Sequence, residues 1–144
     1  ILIKHFNVEV SASSTEINDF KEAIVRKTML DYVKPTELAE LAIANKGKRP
    51  MAIGTGAYTD EAEMILKACG LYELLDFVVG ADQVRNPKPA PDTFLRCAEL
   101  MGINPQDCIV FEDAQAGMQA ARDAGMDVVD VLEVLNITND YFLE

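Results

Sequence analysis

Two adjacent acidic residues, Glu112 and Asp113, directly follow the short apolar run CIVF at 108–111, and an alanine-rich helical pattern begins after them. Neighbouring carboxylates repel each other and resist burial, so a pair at the end of a buried strand needs a cation or a basic partner. Carboxylate oxygens suit a hard divalent cation, and we expect Mg²⁺. The alternative is structural: both acids could cap the following helix and stabilise its first turn through the helix dipole.

A threonine and a lysine follow two other apolar runs. Thr55 and Gly56 come after PMAIG at 50–54, and Lys88 lies in the loop NPKPAPD that follows FVVG at 77–80. The hydroxyl and the backbone N–H can bind phosphate oxygens, while an ammonium neutralises the negative charge that develops during phosphoryl transfer. Each feature alone has a simpler interpretation, a turn for the GTG segment and a solvated loop charge for the lysine.

The elements that carry these residues alternate along the chain. Apolar strands and amphipathic helices follow one another, with Gly and Pro at their boundaries. We predict strands at 50–54, 77–80, 108–111 and 127–131, separated by helices at 59–70, 91–102 and 114–125. This alternation indicates βαβ units and hence an α/β fold with a Rossmann-like parallel sheet. Ligands bind beyond the carboxyl ends of the strands in such sheets, so the three polar groups should converge on one edge.

Three further local patterns concern helix ends. Between residues 13 and 32, apolar residues recur at roughly helical spacing, which indicates a helix. Ser and Thr at its start offer an N-cap. A second helix begins at Pro35 and is closed by Gly47, which can take the left-handed conformation. Asp60 and Glu63 resemble a capping box at the start of the next helix. The beginning of the chain lacks the strand–helix alternation, which indicates a separate helical piece.

Composition argues against several partners. The 144 residues are 49% hydrophobic and 26% charged, which suits one globular domain or a small domain with part of another. A net charge of −11 argues against nucleic acid, because phosphate backbones attract surfaces rich in lysine and arginine. No apolar run approaches the ~20 residues of a membrane span, so we expect no membrane partner.

The cysteines and the single histidine have no chemical role in this interpretation. Cys69, Cys97 and Cys108 are odd in number and form no CxxC pair, so we expect three reduced, buried thiols in a cytosolic protein. We expect His5, the only histidine, to have a structural or surface role. The negative net charge does not exclude a small phosphorylated substrate, because a metal ion or one well-placed lysine can reverse the local field.

Taken together, Thr55 after an apolar strand, Lys88 in KPAPDTF, and the segment FEDAQAGMQAARDAGM resemble the second, third and fourth motifs of the haloacid dehalogenase-like phosphohydrolases. The resemblance spans about residues 34–131 and is closest to the branch of sugar-phosphate phosphatases and β-phosphoglucomutases. PMAIGTG in particular is similar to fructose-1-phosphatase-like members. The resemblance implies an α/β core at 34–144 and, at 1–33, part of the helical cap domain that this branch inserts after its first core strand.

By this resemblance, Thr55 and Gly56 would bind the transferring phosphoryl group, and Lys88 would bridge the phosphate and the nucleophile. Glu112 and Asp113 would hold the Mg²⁺ ion. The implied activity is Mg²⁺-dependent hydrolysis of a small phosphorylated metabolite, a sugar phosphate, with Thr55 and Lys88 as the catalytic residues.

The family's first motif, an Asp-x-Asp segment that supplies the nucleophile and the acid/base, is absent from the sequence. In the family it belongs to the central strand, between the strands predicted at 50–54 and 108–111. Without it, those two strands should have unpaired edges. We therefore expect a truncated form of a longer enzyme that uses an aspartyl-phosphate, inactive as given. Gly117 would, by the same resemblance, let the helix after the acids pack close to the sheet.

Three other functions stay open. A mutase of the β-phosphoglucomutase type shares these motifs and differs in how its cap retains the phosphorylated intermediate. A signalling receiver domain also uses acids, a hydroxyl, a lysine and Mg²⁺, but there the acids come first along the chain and the lysine last. The third is a non-catalytic remnant that binds metal without hydrolysis. The sequence predicts neither the particular sugar nor the oligomeric state.

Overall fold

The structure is a computed structural model, and it describes residues 33–135 together with seven earlier positions: Ser13, Glu16, Ile17, Phe20, Ala23, Ile24 and Thr28. The chain divides into two compact units, residues 1–33 and 34–144. The expectation for His5 lies outside the described residues, as do those for most of the first unit.

Six of the described residues of the first unit are helical, and Ser13 and Glu16 form a capping box. The Ser13 hydroxyl accepts a 3.2 Å hydrogen bond from the N–H of Glu16, and the Glu16 carboxylate accepts a 2.7 Å bond from the N–H of Ser13. The bond from the Ser13 N–H lowers the pKa of the Glu16 carboxyl. The predicted serine N-cap is confirmed. The helical positions described are Glu16, Ile17, Phe20, Ala23, Ile24 and Thr28.

In the second unit, short strands alternate with helices, as predicted. The strands are β1 (Ala52–Gly54), β2 (Phe77–Val79), β3 (Ile109–Glu112) and β4 (Asp127–Asp130). The helices are α1 (Leu38–Asn45), α2 (Thr59–Ala68), α3 (Asp92–Met101), α4 (Gln115–Asp123) and the single turn α5 (Val131–Val134). Short 3₁₀ turns lie in the connections at Tyr72–Leu74, Ala81–Gln83 and Pro105–Asp107.

Three helix ends show the local chemistry that sets them. Gly47 and Gly102 follow α1 and α3 with φ angles of 71° and 67°, a left-handed conformation that glycine adopts without strain. The Asp130 carboxylate accepts hydrogen bonds from the N–H groups of Leu132 and Glu133 at 3.0 and 3.3 Å. This cap starts α5 at the position where the last strand was predicted to continue.

The predicted capping box of Asp60 and Glu63 is wrong. Asp60 lies inside the first turn of α2, and the N-cap residue is Tyr58, whose side chain makes no capping bond. The carboxylate of Asp82, 23 positions away, accepts a 2.7 Å hydrogen bond from the N–H of Thr59 instead. A tertiary contact replaces the local pattern because the fold places this acceptor beside the first free N–H of the helix.

The strands form two parallel pairs. β1 pairs with β2, with Gly54 opposite Val79, and β3 pairs with β4, with Glu112 opposite Asp130. The predicted α/β class with parallel strands is confirmed. Among the described residues, no strand ladder joins β1 to β3. Each of these two strands therefore has an edge without a partner in this part of the chain, as the sequence predicted.

Helix α3 connects the two strand pairs. It packs against β1, β2 and α4, while α4 packs against β3 and β4. Their contact forms the main hydrophobic core, where buried apolar area contributes roughly 25 cal/mol per Å². The cluster consists of Phe94, Ala98, Val110, Ala120, Ala121, Ala124 and Met126. The packed helices α3 and α4 therefore hold β1 and β3 within one compact unit.

The cysteine thiols are free, as expected from their number, but only Cys97 is buried, and the expectation of burial is wrong for the half-buried Cys69 and Cys108. Cys69, Cys97 and Cys108 form no disulfide, and burial raises the pKa of the Cys97 thiol to about 11. That thiol is therefore protonated near neutral pH and unreactive as a nucleophile. Among the helices of the described residues, none combines the length and the apolar character needed to span a bilayer.

Candidate active site

Lys88 and Glu112 form an ion pair at the carboxyl end of β3. The Lys88 Nζ lies 2.5 Å from Glu112 Oε2, and the two side chains are only 15% and 11% exposed. A pair this far from water loses hydration on both sides, so each charge depends on the other for stabilisation. Lys88 is thus the basic partner that an acid at this strand end requires.

The loop before α3 holds Lys88 in place. Asn86 donates from its backbone N–H and its side-chain amide to Asp92 Oδ1, at 3.2 and 3.0 Å, which closes the loop onto the first residue of α3. The Lys88 ammonium lies 4.4 Å from the centroid of the Phe94 ring, within cation–π range. Contacts on the loop and on the helix therefore direct the lysine towards Glu112.

Glu112 also binds the backbone of the two residues that follow it. Its Oε1 accepts hydrogen bonds from the N–H groups of Asp113 and Ala114, at 3.3 and 3.2 Å, just before α4 begins. A Cβ on Gly117, in the first turn of α4, would overlap the Glu112 carboxyl group. The glycine expected to bring the helix close to the sheet thus makes room for the Glu112 side chain. Charge pairing holds for Glu112 through Oε2, whereas the helix-capping alternative is wrong. No side chain caps α4, its first turn contains no acid, and Oε1 binds N–H groups that precede the helix.

The two acids differ in their electrostatics. Burial opposes ionisation of Glu112, but the hydrogen bond and charge of Lys88, with the Ala114 N–H, outweigh it and hold the pKa of Glu112 below its usual value. Partial burial and the adjacent Glu112 carboxylate raise the pKa of Asp113. Asp113 therefore carries negative charge that Lys88 only partly compensates, at an exposed position. A cation would be most stabilising there.

Glu112 and Asp113 are chemically suited to a small divalent cation. Proteins commonly hold Mg²⁺ with one or two carboxylates, while waters and substrate phosphate oxygens complete its shell. Between residues 33 and 135 and at the earlier described positions, no three His, Cys, Asp or Glu side chains cluster as metal ligands. The acid pair therefore fits such a cation as a partial ligand set. Asp113 is the more accessible donor, because Glu112 Oε2 is bonded to Lys88.

Thr55 and Gly56 lie at the carboxyl end of β1. The N–H of Thr55 donates to the carbonyl of Val79 at 2.9 Å, and its hydroxyl oxygen accepts a 3.1 Å bond from the N–H of Ala57. The hydroxyl keeps its own proton for donation to a ligand. At Gly56, no described atom lies within 4 Å of where a Cβ would stand. An anion can therefore approach the backbone closely at this residue.

The structure brings Lys88, Glu112 and Asp113 together, whereas Thr55 and Gly56 lie at the end of the other strand pair. Within the described part of the chain, no hydrogen bond or ion pair joins the two groups. Both groups belong to the second unit: Thr55 and Gly56 follow β1, the two acids stand at the end of β3, and Lys88 comes from the loop before α3.

Phe94 of α3 contacts elements of both groups. Its ring faces the Lys88 ammonium, and its Cδ1 lies 3.2 Å from where a Cβ on Gly54 would stand. Gly54 is the last residue of β1 and directly precedes Thr55. One aromatic side chain in the first turn of α3 therefore spans the distance between the lysine and the end of β1.

A cavity of about 250 Å³ opens beside the acid pair. Neither Thr55 nor Lys88 lines it, so it is a separate space from the loop at the end of β1. Its lining residues are Thr36, Leu38, Phe111, Glu112, Asp113, Val131, Leu132 and Leu135.

Sequence reasoning missed three side chains that place Lys88. The helical spacing of KPAPDTF puts Phe94 in the first turn of α3, close to the preceding loop, and that spacing was a usable signal. The bond between Asn86 and Asp92 has no comparable signature, because a contact between a loop and a helix start depends on the path of the chain.

Comparison with known proteins identifies relatives among phosphatases. Over 111 residues the chain is 52% identical to the fructose-1-phosphate phosphatase YqaB of Escherichia coli strain K12, a match that covers 77% of this chain and 59% of that protein. The chain therefore spans less than two thirds of the length of this relative.

Two solved structures share the architecture of this chain. The HAD hydrolase of family IA, variant 3, from Entamoeba histolytica matches with a TM-score of 0.76 and 25% identity, over 95% of this chain and 67% of that one. The β-phosphoglucomutase from Clostridium difficile gives a TM-score of 0.72 at 24% identity, over 99% and 75%, and shows the fold alone.

The family assignment agrees with the motifs, the fold and these relatives. The family model described as haloacid dehalogenase-like hydrolase matches residues 2–131, most of the chain. The HAD hydrolase from Entamoeba histolytica shares the α/β core described above. The relative from Escherichia coli is a phosphatase. The chain belongs to the haloacid dehalogenase-like hydrolases.

Proposed function

We propose that this chain is the part of a phosphatase that carries the phosphate-binding and metal-binding side chains, and that the enzyme hydrolyses a small phosphorylated sugar. The buried ion pair of Lys88 and Glu112 at the end of β3, with Asp113 next to it, carries the proposal. The similarity to a fructose-1-phosphate phosphatase supports a sugar phosphate as the substrate. Family membership sets the receiver-domain alternative aside.

Lys88 would stabilise the transferring phosphoryl group. In the first step an oxygen of the proposed nucleophilic aspartate would bond to phosphorus, the bond between phosphorus and the sugar oxygen would break, and the second aspartate of that Asp-x-Asp segment would give its proton to the sugar oxygen. Water would then attack the aspartyl-phosphate and give a proton back to the second aspartate, which releases inorganic phosphate and restores the nucleophilic carboxylate. The Lys88 ammonium neutralises negative charge on the phosphoryl oxygens in both steps. Glu112 orients that ammonium before the substrate binds.

The segment at residues 55–57, called here the phosphate loop, would bind the same phosphoryl group from the side of β1. The Thr55 hydroxyl would donate its proton to one phosphate oxygen, and the Gly56 N–H would donate to another. The open space around Gly56 supports this role, because a phosphate must approach the backbone closely to accept such a bond.

Glu112 and Asp113 would hold a divalent cation, Mg²⁺ in this proposal. When bound, the ion would supply positive charge to the phosphoryl oxygens. The position of Asp113 supports its role, because it lies next to the Glu112 carboxylate and is exposed to solvent.

The nucleophilic aspartate is proposed to lie outside the given sequence, which contains no Asp-x-Asp segment. β1 and β3 each have an edge available for a further strand. A strand that ends in Asp-x-Asp and pairs with both would place its carboxylates near Thr55 and Lys88. In this proposal residues 34–144 belong to the catalytic core and residues 1–33 to a helical cap.

Release of inorganic phosphate from fructose 1-phosphate tests the proposal. The protein that carries this sequence together with any residues encoded before Ile1 should release phosphate with Mg²⁺ and stop when a chelator is added. The 144-residue chain alone should release none.

Hydrolysis by the 144-residue chain would contradict a nucleophile outside the given sequence. Isomerisation of glucose 1-phosphate without net phosphate release would identify a mutase, and metal binding without either reaction would identify a non-catalytic protein.

A further inference from the structure

The phosphate loop is joined at both ends to the segment that follows β2. The N–H of Thr55 donates to the carbonyl of Val79, and the carbonyl of Ala57 accepts from the N–H of Ala81, both at 2.9 Å. These two backbone bonds lie on either side of Gly56. The position of the loop therefore depends on the residues that follow β2.

Asp82 and Gln83 extend this connection to the start of α2. Asp82 Oδ1 accepts from the N–H and the hydroxyl of Thr59 at 2.7 and 2.8 Å, and Oδ2 lies 3.0 Å from the same hydroxyl. The side-chain amide of Gln83 donates to the Thr59 hydroxyl oxygen at 2.8 Å and to the carbonyl of Val78 at 3.0 Å. Thr59, two residues after the phosphate loop, is thus bonded through both its N–H and its hydroxyl.

Close packing leaves this network little freedom. A Cβ on Gly80 would overlap the backbone nitrogen of Thr59 and would stand only 2.5 Å from Asp82 Oδ1. The hydrogen bond from the Thr59 N–H also lowers the pKa of Asp82, so the carboxylate is ionised at neutral pH. The two segments therefore meet backbone to backbone, with one carboxylate as the shared acceptor.

We infer that Asp82 is a positioning residue for the phosphate loop. It fixes Thr59, and the backbone bonds of Thr55 and Ala57 then hold the Thr55 hydroxyl and the Gly56 N–H in a binding geometry before phosphate arrives. This inference rests on the proposed function for the identity of the ligand and goes beyond it in naming the residue that preorganises the loop.

Titration of the 144-residue chain with inorganic phosphate, followed by NMR of its backbone amides, tests the inference. In the unsubstituted chain, phosphate should shift the Gly56 amide signal. Asp82→Ala should raise the dissociation constant for phosphate by about five- to tenfold. Asp82→Asn keeps an acceptor for the Thr59 N–H and should recover part of that loss. Thr59→Val, which removes the hydroxyl alone, should weaken binding in the same direction and serves if Asp82→Ala does not fold.

Asp76→Ala is the matched control. The Asp76 carboxylate accepts a 2.9 Å bond from the N–H of Met51, at the opposite end of the β1–β2 pair. Its removal should lower stability to a similar degree and leave the dissociation constant for phosphate unchanged. An unchanged constant in Asp82→Ala, or an equal rise in both variants, would overturn the inference.

Amide hydrogen exchange separates this inference from the proposed function. Asp82→Ala should speed the exchange of the Thr55 and Ala57 amides, whereas Asp76→Ala should not. If phosphate shifts no loop amide in the unsubstituted chain, phosphate binding by the loop is refuted, and exchange alone decides on positioning. Faster exchange confined to the loop then supports the role of Asp82, and unchanged exchange overturns it.

Discussion

Gly117 lies directly against the side chain of Glu112, so closely that a Cβ at position 117 would overlap the carboxyl group. The same carboxylate pairs with Lys88 at 2.5 Å and accepts two N–H bonds in front of α4. The absence of a side chain in one helical turn therefore permits the geometry of the charge pair at the end of β3.

Replacing Gly117 by alanine should lower the free energy of unfolding by about 1–3 kcal/mol, because the added methyl group forces Glu112 to move. Alanine has the higher helix propensity, so a local helix effect would act in the opposite direction. Urea unfolding of the purified chain measures the change. Gly56→Ala is the control, since no described atom lies within 4 Å of its Cβ position, and it should stay within about 0.5 kcal/mol. If the Gly117→Ala chain is as stable as the original, a methyl group at position 117 does not crowd the Glu112 side chain.

The ion pair of Lys88 and Glu112 should show strong energetic coupling. A double-mutant cycle with Lys88→Met and Glu112→Gln should give about 1–3 kcal/mol, because removing one partner leaves a poorly hydrated charge unpaired. Lys67 and Glu63 provide the control pair, 2.8 Å apart but 55% and 32% exposed. Their coupling should be much smaller than that of the buried pair, because solvent screens two exposed charges. Equal coupling energies in the two pairs would show that burial does not strengthen the interaction between Lys88 and Glu112.

Lys88→Ala should abolish turnover in the complete enzyme, with a loss in kcat of about a hundredfold or more, because the charge on the phosphoryl oxygens loses its ammonium partner. Steady-state release of phosphate from fructose 1-phosphate measures this loss. Lys67→Ala, which removes an exposed lysine of α2, should leave kcat unchanged. Undiminished activity in Lys88→Ala would remove the lysine from the catalytic site.

Asp113→Asn should weaken Mg²⁺ binding by about tenfold, because the more accessible carboxylate of the pair is lost. Burial and the neighbouring Glu112 raise the pKa of Asp113, so protons compete with the metal, and binding should weaken as the pH falls. Isothermal titration calorimetry at several pH values measures both effects. Asp123→Asn is the control, because Asp123 lies on α4 and accepts a bond from Gln119. Equal affinities in the two variants would argue against a metal at Asp113.

The contribution of Asp82 to stability should depend on pH. Bonds from the N–H and the hydroxyl of Thr59 lower the pKa of Asp82 from its usual 3.8 in the folded chain. A carboxyl with a lowered folded-state pKa stabilises fully above its unfolded value and loses that contribution as the pH falls through the folded value. The stability difference between the original chain and Asp82→Asn should therefore be largest near neutral pH and shrink below 3.8. Urea unfolding across this range measures it, and a difference that does not change with pH would contradict the ionised cap.

Most elements of the second unit could be predicted from local patterns. Apolar runs bounded by glycine and proline located all four strands to within two residues at each end. The alternation of strands and helices predicted parallel pairing, because a helix between two strands returns the chain to the same end of the sheet. The capping box at Asp60 failed because a local pattern cannot exclude an acceptor that arrives from another loop, in this case Asp82.

The order of residue types along the sequence determined by itself which groups stand at strand ends: a hydroxyl at Thr55, an ammonium at Lys88 and two carboxylates at Glu112 and Asp113. Only the tertiary structure decided that Lys88 pairs with Glu112, 24 positions away, and that Asp113 is the more accessible acid. The reason is physical. Strand and helix signals arise from neighbouring residues, whereas an ion pair requires two distant side chains to be brought within about 4 Å by the packing of the whole core.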